Sequence, residues 1–175
     1  LGWEIHAAPE VMPTIWDALS EVGVAPFGMY ALNSMRIEKG YRAWKVDLST
    51  DYSLIESGLD RFIKFDKTQD FPGKAALLAE KQKGRKKGFV TLVMDAGDKD
   101  APYMAPIWHG DEIVGEVTSC AMGYRTNKCI ALGMLRANLT TVGIELEVEV
   151  YGKRQKAVVQ KDVPLWDPTN KRIKV

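Results

Sequence analysis

The segment "ELEVEV" constrains the fold more than any other part of the sequence. In it Leu146, Val148 and Val150 alternate strictly with three glutamates. Neighbouring side chains of a strand point to opposite faces, so this segment predicts a strand with one buried and one solvent-facing side. The turn "YGKR" follows and leads into "RQKAVVQK", whose cations can lie opposite those glutamates. Opposite charges on facing strands stabilise an antiparallel pair. The segment therefore predicts an antiparallel sheet.

Short apolar runs separated by turns continue through the chain from Gly88 onward, as in "GFVTLVMD", "DEIVGEVTSC" and "CIALGML". Several short strands at such spacing are typical of a small barrel or a sandwich. The part of the chain before this region has a mixed pattern. "WEIHA" and "DRFIKFD" read as short strands there. Helical spacing predicts three helices: Pro9 to Gly23, Gly28 to Lys39 with Gly40 as its C-cap, and Pro72 to Gly84.

These patterns divide the chain into an α+β piece and an all-β piece, with a boundary near Lys67 to Gly88. The predicted fold class is α+β, with a small antiparallel β-barrel at the C-terminal end. The chain begins at Leu1 with "LGWEI" rather than with Met. We expect it to be the C-terminal fragment of a larger polypeptide.

Composition excludes several classes of function. The net charge is +1, so no overall field attracts nucleic acid or an anionic membrane. No run approaches the ~20 apolar residues that a membrane-spanning helix needs. Cys120 and Cys129 are too few for a disulfide framework and favour a reducing compartment, although a disulfide between them stays the less favoured alternative. We expect a bacterial cytoplasm, or a mitochondrial matrix in a eukaryote.

The motifs of common catalytic and cofactor sites are absent. His6 and His109 are far apart, and no Cys or His cluster has the spacing of a zinc site, so we expect no metal. The sequence has no Gly-x-Gly-x-x-Gly for a dinucleotide, no phosphate-binding loop with Gly-Lys-Ser/Thr and no Gly-x-Ser-x-Gly nucleophile elbow. The absence of these motifs indicates a protein that does not carry a complete catalytic site of these kinds.

The stretch "NSMRIEKGYRAWKVDLSTDYSLIESGLDRFIKFDK" resembles the aminomethyltransferase (glycine-cleavage T-protein) superfamily. "LGWEI" resembles the end of the family's "GWE(L/I)" strand, and "FPGKAALLAEKQKG" resembles its "FIGR.AL...K..G" segment. "GEVTSC" and "IALGML" resemble its "G.VTSG" and "IALAYV" barrel motifs. The resemblance implies that residues 1–66 are the C-terminal part of a folate-binding aminomethyltransferase domain. Residues 67–175 are then a linker helix and the C-terminal β-barrel domain.

Within the superfamily, "GLDRFIKFDKTQDFPGKAAL", "RAW" and "PLWDP" are most similar to the C-terminal folate-binding half of dimethylglycine and sarcosine dehydrogenases. This resemblance implies an oxidoreductase in which a flavin half oxidises an N-methyl amine. The folate half then captures the one-carbon unit as 5,10-methylenetetrahydrofolate. The cofactors implied are tetrahydrofolate and, in a domain upstream of Leu1, FAD. The N-methyl amine contacts that upstream domain, so its identity is left open, and we expect no turnover by this chain alone.

Two residues match family positions that contact folate, and a third is expected beside them. Glu4 matches a strand carboxylate that accepts hydrogen bonds from the amino group and ring N–H of a pterin. The alternative is an ordinary exposed strand glutamate. Tyr41 matches an aromatic just past the helix, and it either contacts the ligand or packs under the helix cap. Trp44 is expected beside it. We expect Glu4 and Tyr41 to form one wall of a cleft for a flat ligand.

The remaining comparisons with the family pattern are less direct. Leu32 replaces an arginine of the glycine-cleavage enzymes, which favours the dehydrogenase branch. Arg36 and Glu38 are expected to form a structural pair on the helix surface. Glu56 is expected to fix the turn that follows it. The superfamily's catalytic residues lie upstream of Leu1, so none is assigned here.

Residues of the barrel are candidates for the anionic glutamate tail of folate, because a cation at the mouth of a cleft attracts an anion. These candidates are Arg125, Lys128 and Trp108-His109, and Arg125 is the one assigned to the tail. Two alternatives to the dehydrogenase stay open. One is a stand-alone folate-dependent aminomethyltransferase or demethylase, and the other is a non-catalytic folate-like binding module.

Overall fold

A computed structural model describes residues 3–97 and 99–173 of the chain. The chain forms two compact units, Leu1–Leu32 and Asn33–Val175, and each is described by itself. No helix in the described ranges is both long and apolar enough to cross a bilayer.

The first unit consists of helical segments. A 3₁₀ turn at Pro9–Val11 leads into helix α1, Met12–Glu21, and Gly23 follows it with a left-handed φ of 82°. Proline at the start and glycine after the end fit the helix predicted from Pro9 to Gly23. The strand predicted for "WEIHA" is wrong in its described part, because residues 3–7 have no regular structure. Alternation alone does not make a strand, since a strand also needs a hydrogen-bonded neighbour.

Helix α2, Met29–Glu38, ends in a Schellman motif as the glycine predicts. Gly40 has a left-handed φ of 65°. Its backbone N–H donates to the Ile37 carbonyl at 2.9 Å, and the Tyr41 N–H donates to the Arg36 carbonyl at 2.9 Å. These bonds satisfy two carbonyls at the helix end and fix the direction in which the chain leaves α2.

Turns connect α2 to the barrel. The strand predicted for "DRFIKFD" is wrong, because Asp60–Phe62 form a 3₁₀ turn in which Phe62 is 73% exposed. The apolar side chains of that segment do not share one face, so no strand gains a buried side. Helix α3, Lys74–Lys83, lies inside the predicted range from Pro72 to Gly84.

Six strands form the closed antiparallel barrel that the sequence predicts. They are β1, Lys87–Met94; β2, Pro106–His109; β3, Glu112–Gly123; β4, Lys128–Arg136; β5, Glu145–Val150; and β6, Lys153–Gln160. Their order around the barrel is β1-β4-β3-β2-β5-β6, and β6 pairs with β1 to close it. The predicted class, an α+β region followed by a small antiparallel barrel, is confirmed. The sequence does not predict strand β2, because its four residues begin with proline and are too few to show an alternation of apolar and polar side chains.

The barrel interior is the hydrophobic core of the second unit. Leu92, Ile107 and Val148 are fully buried there. In β5 the apolar residues are buried and the glutamates lie on the more solvent-exposed face, as their alternation predicts. The register sets Glu147 opposite Lys156 and Glu149 opposite Arg154. The predicted charge pairing across these strands is therefore confirmed.

Candidate functional site

The loop that follows α2 presents two aromatic side chains to solvent. Tyr41 is 56% exposed and Trp44 is 66% exposed. Tyr41 follows directly from the Schellman motif, so the helix end sets its position. Trp44 forms an isolated bridge with Leu48, which folds the loop back on itself. The alternative of Tyr41 buried under the helix cap does not fit its exposure.

Arg36 holds this loop against the barrel. One terminal nitrogen of its guanidinium, Nη1, donates to the Tyr41 carbonyl at 3.0 Å and to Asp47 Oδ2 at 2.6 Å. The other, Nη2, donates to Ser119 Oγ at 2.7 Å, and Nε donates to Asn33 Oδ1 at 2.9 Å. One planar group thus joins the end of α2, the aromatic loop and strand β3. A guanidinium suits this role because its donors have fixed directions.

Asp47 is the buried counterpart of Arg36, with no exposed surface. Besides Arg36, its Oδ2 accepts the Ala43 backbone N–H at 2.8 Å. Its Oδ1 accepts the Thr118 hydroxyl at 2.5 Å and the Ser119 hydroxyl at 2.8 Å. A buried carboxylate needs such a set of donors to offset its lost hydration. The Thr-Ser pair of the "GEVTSC" motif therefore anchors the aromatic loop.

The expected surface pair between Arg36 and Glu38 is wrong. Residues two apart on a helix point in different directions, so their side chains do not meet. Glu38 is only 1% exposed, and its Oε1 accepts the backbone N–H groups of Arg125 and Thr126 at 2.8 and 2.9 Å. The last turn of α2 therefore holds two separate loops, one through Arg36 and the other through Glu38.

Arg125 lies in the turn between β3 and β4 that Glu38 holds. Its guanidinium stacks over the Trp166 ring, 4.2 Å from the ring centre. The two residues line an open groove of about 430 Å³, whose lining also includes the cations Lys128, Lys171 and Arg172. These four cations outnumber Asp167, the one acid that lines the groove, so the groove suits an anionic ligand.

The other predicted barrel contacts have partners within the chain. Trp108 Nε1 donates to Glu149 Oε2 at 3.2 Å, and Arg154 stacks on the Trp108 ring at 4.0 Å. Glu56 does not fix the turn after it. Its carboxylate instead accepts the Ser53 N–H of the preceding turn at 3.2 Å and the Lys87 N–H at the start of β1 at 3.1 Å.

Glu4 belongs to the first unit. Its side chain is 90% exposed, and the contact recorded for it is His6 Nε2 at 3.6 Å from Oε2. It does not lie on a strand, but its carboxylate is accessible to a ligand. Tyr41, Trp44 and Arg125 belong to the second unit. That these three residues and Glu4 contact the same ligand therefore stays a prediction.

The comparisons with known proteins agree with this architecture. The family model of the GCVT N-terminal domain matches residues 1–67, and that of the glycine cleavage T-protein C-terminal barrel domain matches residues 87–167. Human mitochondrial dimethylglycine dehydrogenase is 36% identical over 178 residues, covering 99% of this chain and 21% of that protein. An aminomethyltransferase from Synechocystis sp. is 38% identical over 152 residues, covering 87% of this chain and 41% of that protein.

A solved structure supports the fold. The glycine cleavage system aminomethyltransferase T from Bartonella henselae superposes with a TM-score of 0.80 at 23% identity, over 91% of this chain and 45% of that one. The chain thus spans about a fifth of the dehydrogenase and about two fifths of the Synechocystis aminomethyltransferase. The two family models and the relatives agree on one assignment: the chain belongs to the glycine-cleavage T-protein (aminomethyltransferase) superfamily, a family of enzymes.

Proposed function

We propose that this chain is the C-terminal, tetrahydrofolate-binding portion of a flavin-dependent dimethylglycine or sarcosine dehydrogenase. The whole enzyme would oxidise an N-methyl amine and release the one-carbon unit as 5,10-methylenetetrahydrofolate. The observation that carries this proposal is the 36% identity with dimethylglycine dehydrogenase, which extends over 99% of the chain. The apolar Leu32, where the glycine-cleavage pattern has arginine, supports the same branch.

The side chains available in the structure suit a folate. The exposed carboxylate of Glu4 can accept hydrogen bonds from the amino group and ring N–H of a pterin. The exposed rings of Tyr41 and Trp44 offer apolar faces and a hydroxyl to the aromatic part of the ligand. Arg125 and its neighbouring cations would attract the glutamate tail. When bound, tetrahydrofolate supplies the amine nitrogens that accept the one-carbon unit.

The chain's own residues would act in binding rather than in bond making. Arg36 and Asp47 hold the backbone of the aromatic loop through the Tyr41 carbonyl and the Ala43 N–H, so this backbone loses little freedom when a ligand binds. Glu38 does the same for the turn that carries Arg125. By this proposal the flavin and the catalytic residues are held by a part of the enzyme that precedes Leu1. The division into residues 1–66 and 67–175 belongs to the same proposal.

A second candidate is a folate-dependent aminomethyltransferase or demethylase without a flavin domain. The 38% identity with the Synechocystis aminomethyltransferase favours it. Sequence upstream of Leu1 separates the two candidates, because a Gly-x-Gly-x-x-Gly motif between a strand and a helix there would select the flavin enzyme. The third candidate is a non-catalytic binding module, in which folate-linked turnover would be absent.

The test uses the whole protein. Dimethylglycine and sarcosine are added anaerobically, flavin reduction is followed by absorbance, and the one-carbon product is identified with and without tetrahydrofolate. We expect reduction by at least one amine, with free formaldehyde replaced by 5,10-methylenetetrahydrofolate when the folate is present. A protein without flavin that leaves both amines unchanged, but forms methylenetetrahydrofolate from an aminomethyl donor whose carbon is already at the oxidation level of formaldehyde, would support the second candidate and overturn the first. Binding without turnover would select the third. The compartment follows the proposal, being a bacterial cytoplasm or a mitochondrial matrix.

A further inference from the structure

Three metal-binding side chains meet at one end of the barrel, although their sequence spacing predicts no metal site. Among the residues that the structure describes, Asp100, Cys120 and Cys129 place their ligand atoms within 4.8 Å of one another. Cys120 lies on β3, Cys129 lies on β4, and Asp100 lies in the segment between β1 and β2. Strand pairing and a loop bring them together, so a spacing rule could not find them.

The two thiols are free and their sulfur atoms lie 3.9 Å apart. In tetrahedral zinc sites with Zn–S bonds of about 2.3 Å, two sulfur ligands lie roughly 3.8 Å apart. The observed separation therefore fits a shared zinc ion. The Lys99 carbonyl oxygen lies 3.6 Å from Cys129 Sγ, close to the roughly 3.5 Å expected between a sulfur and an oxygen ligand.

The strand register disfavours a disulfide between these thiols. Cys120 pairs with Ala131 and Cys129 pairs with Met122, so the two cysteines are diagonal neighbours. Diagonal positions are about 7–8 Å apart, whereas disulfides need Cα atoms within about 6.8 Å. A metal ion can bridge the sulfurs without moving the strands.

An open groove leads to one of the two sulfurs. Cys129 lines this groove of about 610 Å³, which gives an ion a path to the cluster. Because a metal ion binds cysteine as the thiolate, its binding would displace both thiol protons.

We infer that Cys120, Cys129 and Asp100 bind one zinc ion, with the Lys99 carbonyl completing the site. Both thiol protons leave to solvent on binding, and the ion joins the loop before β2 to strands β3 and β4. Two soft sulfur ligands and one carboxylate suit Zn²⁺ better than Mg²⁺ or Ca²⁺. The inference does not depend on the proposed function.

The test uses the full chain, purified under reducing conditions and freed of metal with a chelator. Cd²⁺ is titrated while the sulfur-to-metal charge-transfer absorption is followed, Zn²⁺ competition gives the zinc affinity, and native mass spectrometry gives the stoichiometry. We expect one ion per chain and a rise in melting temperature with Zn²⁺. The variants Cys120→Ala and Cys129→Ala should abolish the charge-transfer band of the shared site.

Asp100→Asn keeps the test informative if the cysteine variants fold poorly, because Asp100 is exposed. We expect it to weaken Zn²⁺ binding by roughly 100-fold, since even residues outside the ligand set change affinity by 10–100-fold. Asp111→Asn is the control, an exposed acid in the turn between β2 and β3, and should leave binding unchanged. Equal affinity of the wild type and Asp100→Asn would remove Asp100 from the site. No binding by the wild type, or a Cys120–Cys129 disulfide under reducing conditions, would overturn the inference.

Discussion

The Arg36 guanidinium and the Asp47 carboxylate form a 2.6 Å ion pair that joins helix α2 to the aromatic loop, with the Asp47 side chain fully buried. The Thr118 and Ser119 hydroxyls extend the pair to strand β3. Because the same guanidinium also binds the Tyr41 carbonyl, the core of the second unit and the proposed ligand-binding loop are mechanically linked.

Asp47→Ala should destabilise the protein by about 3–5 kcal/mol, because it leaves the mostly buried guanidinium of Arg36 without its carboxylate partner. The free energy of unfolding from urea denaturation measures this. Asp70→Asn, on an exposed acid, is the control and should stay within ~0.5 kcal/mol of the wild type. A loss below about 1 kcal/mol for Asp47→Ala would show that the pair does not anchor the loop.

Glu38→Gln should loosen the turn between β3 and β4. Its buried carboxylate accepts two backbone N–H groups, and a neutral amide oxygen is a weaker acceptor. We expect a loss of roughly 1–3 kcal/mol and faster hydrogen exchange at the Arg125 and Thr126 amides. Glu145→Gln, on an exposed strand position, serves as the comparison. Unchanged exchange at both amides would contradict the assignment.

Glu4→Gln should weaken tetrahydrofolate binding by the whole protein by roughly 1–3 kcal/mol, the expected effect of losing a charged hydrogen-bond acceptor. Calorimetric titration of the folate measures the change. The control variant is Glu10→Gln, at a nearby exposed glutamate, and it should bind tetrahydrofolate as tightly as the wild type does. If both variants bind equally well, Glu4 is not a ligand of the pterin.

Tyr41→Ala should also weaken folate binding, by roughly 0.5–1.5 kcal/mol or more, because an aromatic contact is lost. Tyr41→Phe retains the ring and should lose less, which separates the ring from the hydroxyl. Tyr103→Ala removes a ring of similar exposure, 60% against 56%, and should leave the affinity unchanged. The same loss in Tyr103→Ala and Tyr41→Ala would indicate a general effect on the fold.

Tyr52 should resist ionisation at alkaline pH. Burial, together with its hydrogen bond to Glu116, raises the pKa of Tyr52 well above its ordinary value of 10.0. Below pH 10 the phenol is neutral in both states, so its contribution to stability is complete. As the pH rises above that value, the unfolded chain ionises first and stability falls. Comparing ultraviolet titrations of the wild type and of Tyr52→Phe should show that Tyr52 ionises above pH 10, and Glu116→Gln should move this ionisation to lower pH. Ionisation of Tyr52 at its ordinary pH would contradict this.

The local sequence is sufficient to predict structure that is decided within a few residues. The alternation around Val148 and the glycine after α2 each act within a few residues, so they predicted a strand and a helix end correctly. The strands predicted for "WEIHA" and "DRFIKFD" failed because a strand depends on a partner that local sequence does not reveal. The partners of Asp47 on β3 are more than seventy positions away, which no spacing pattern connects. The meeting of Asp100 with the two cysteines was missed for the same reason.

The order of strands in the closed barrel has a consequence for synthesis on the ribosome. Both neighbours of β1, namely β4 and β6, come later in the chain. Strand β1 therefore leaves the ribosome with neither hydrogen-bonding edge covered, and it stays so until β4 has emerged. The second edge of β1 stays uncovered until β6, which ends at residue 160, has emerged from the ribosome. During this interval "GFVTLVM" is an uncovered apolar strand, and such segments are where nascent chains pair wrongly or recruit chaperones.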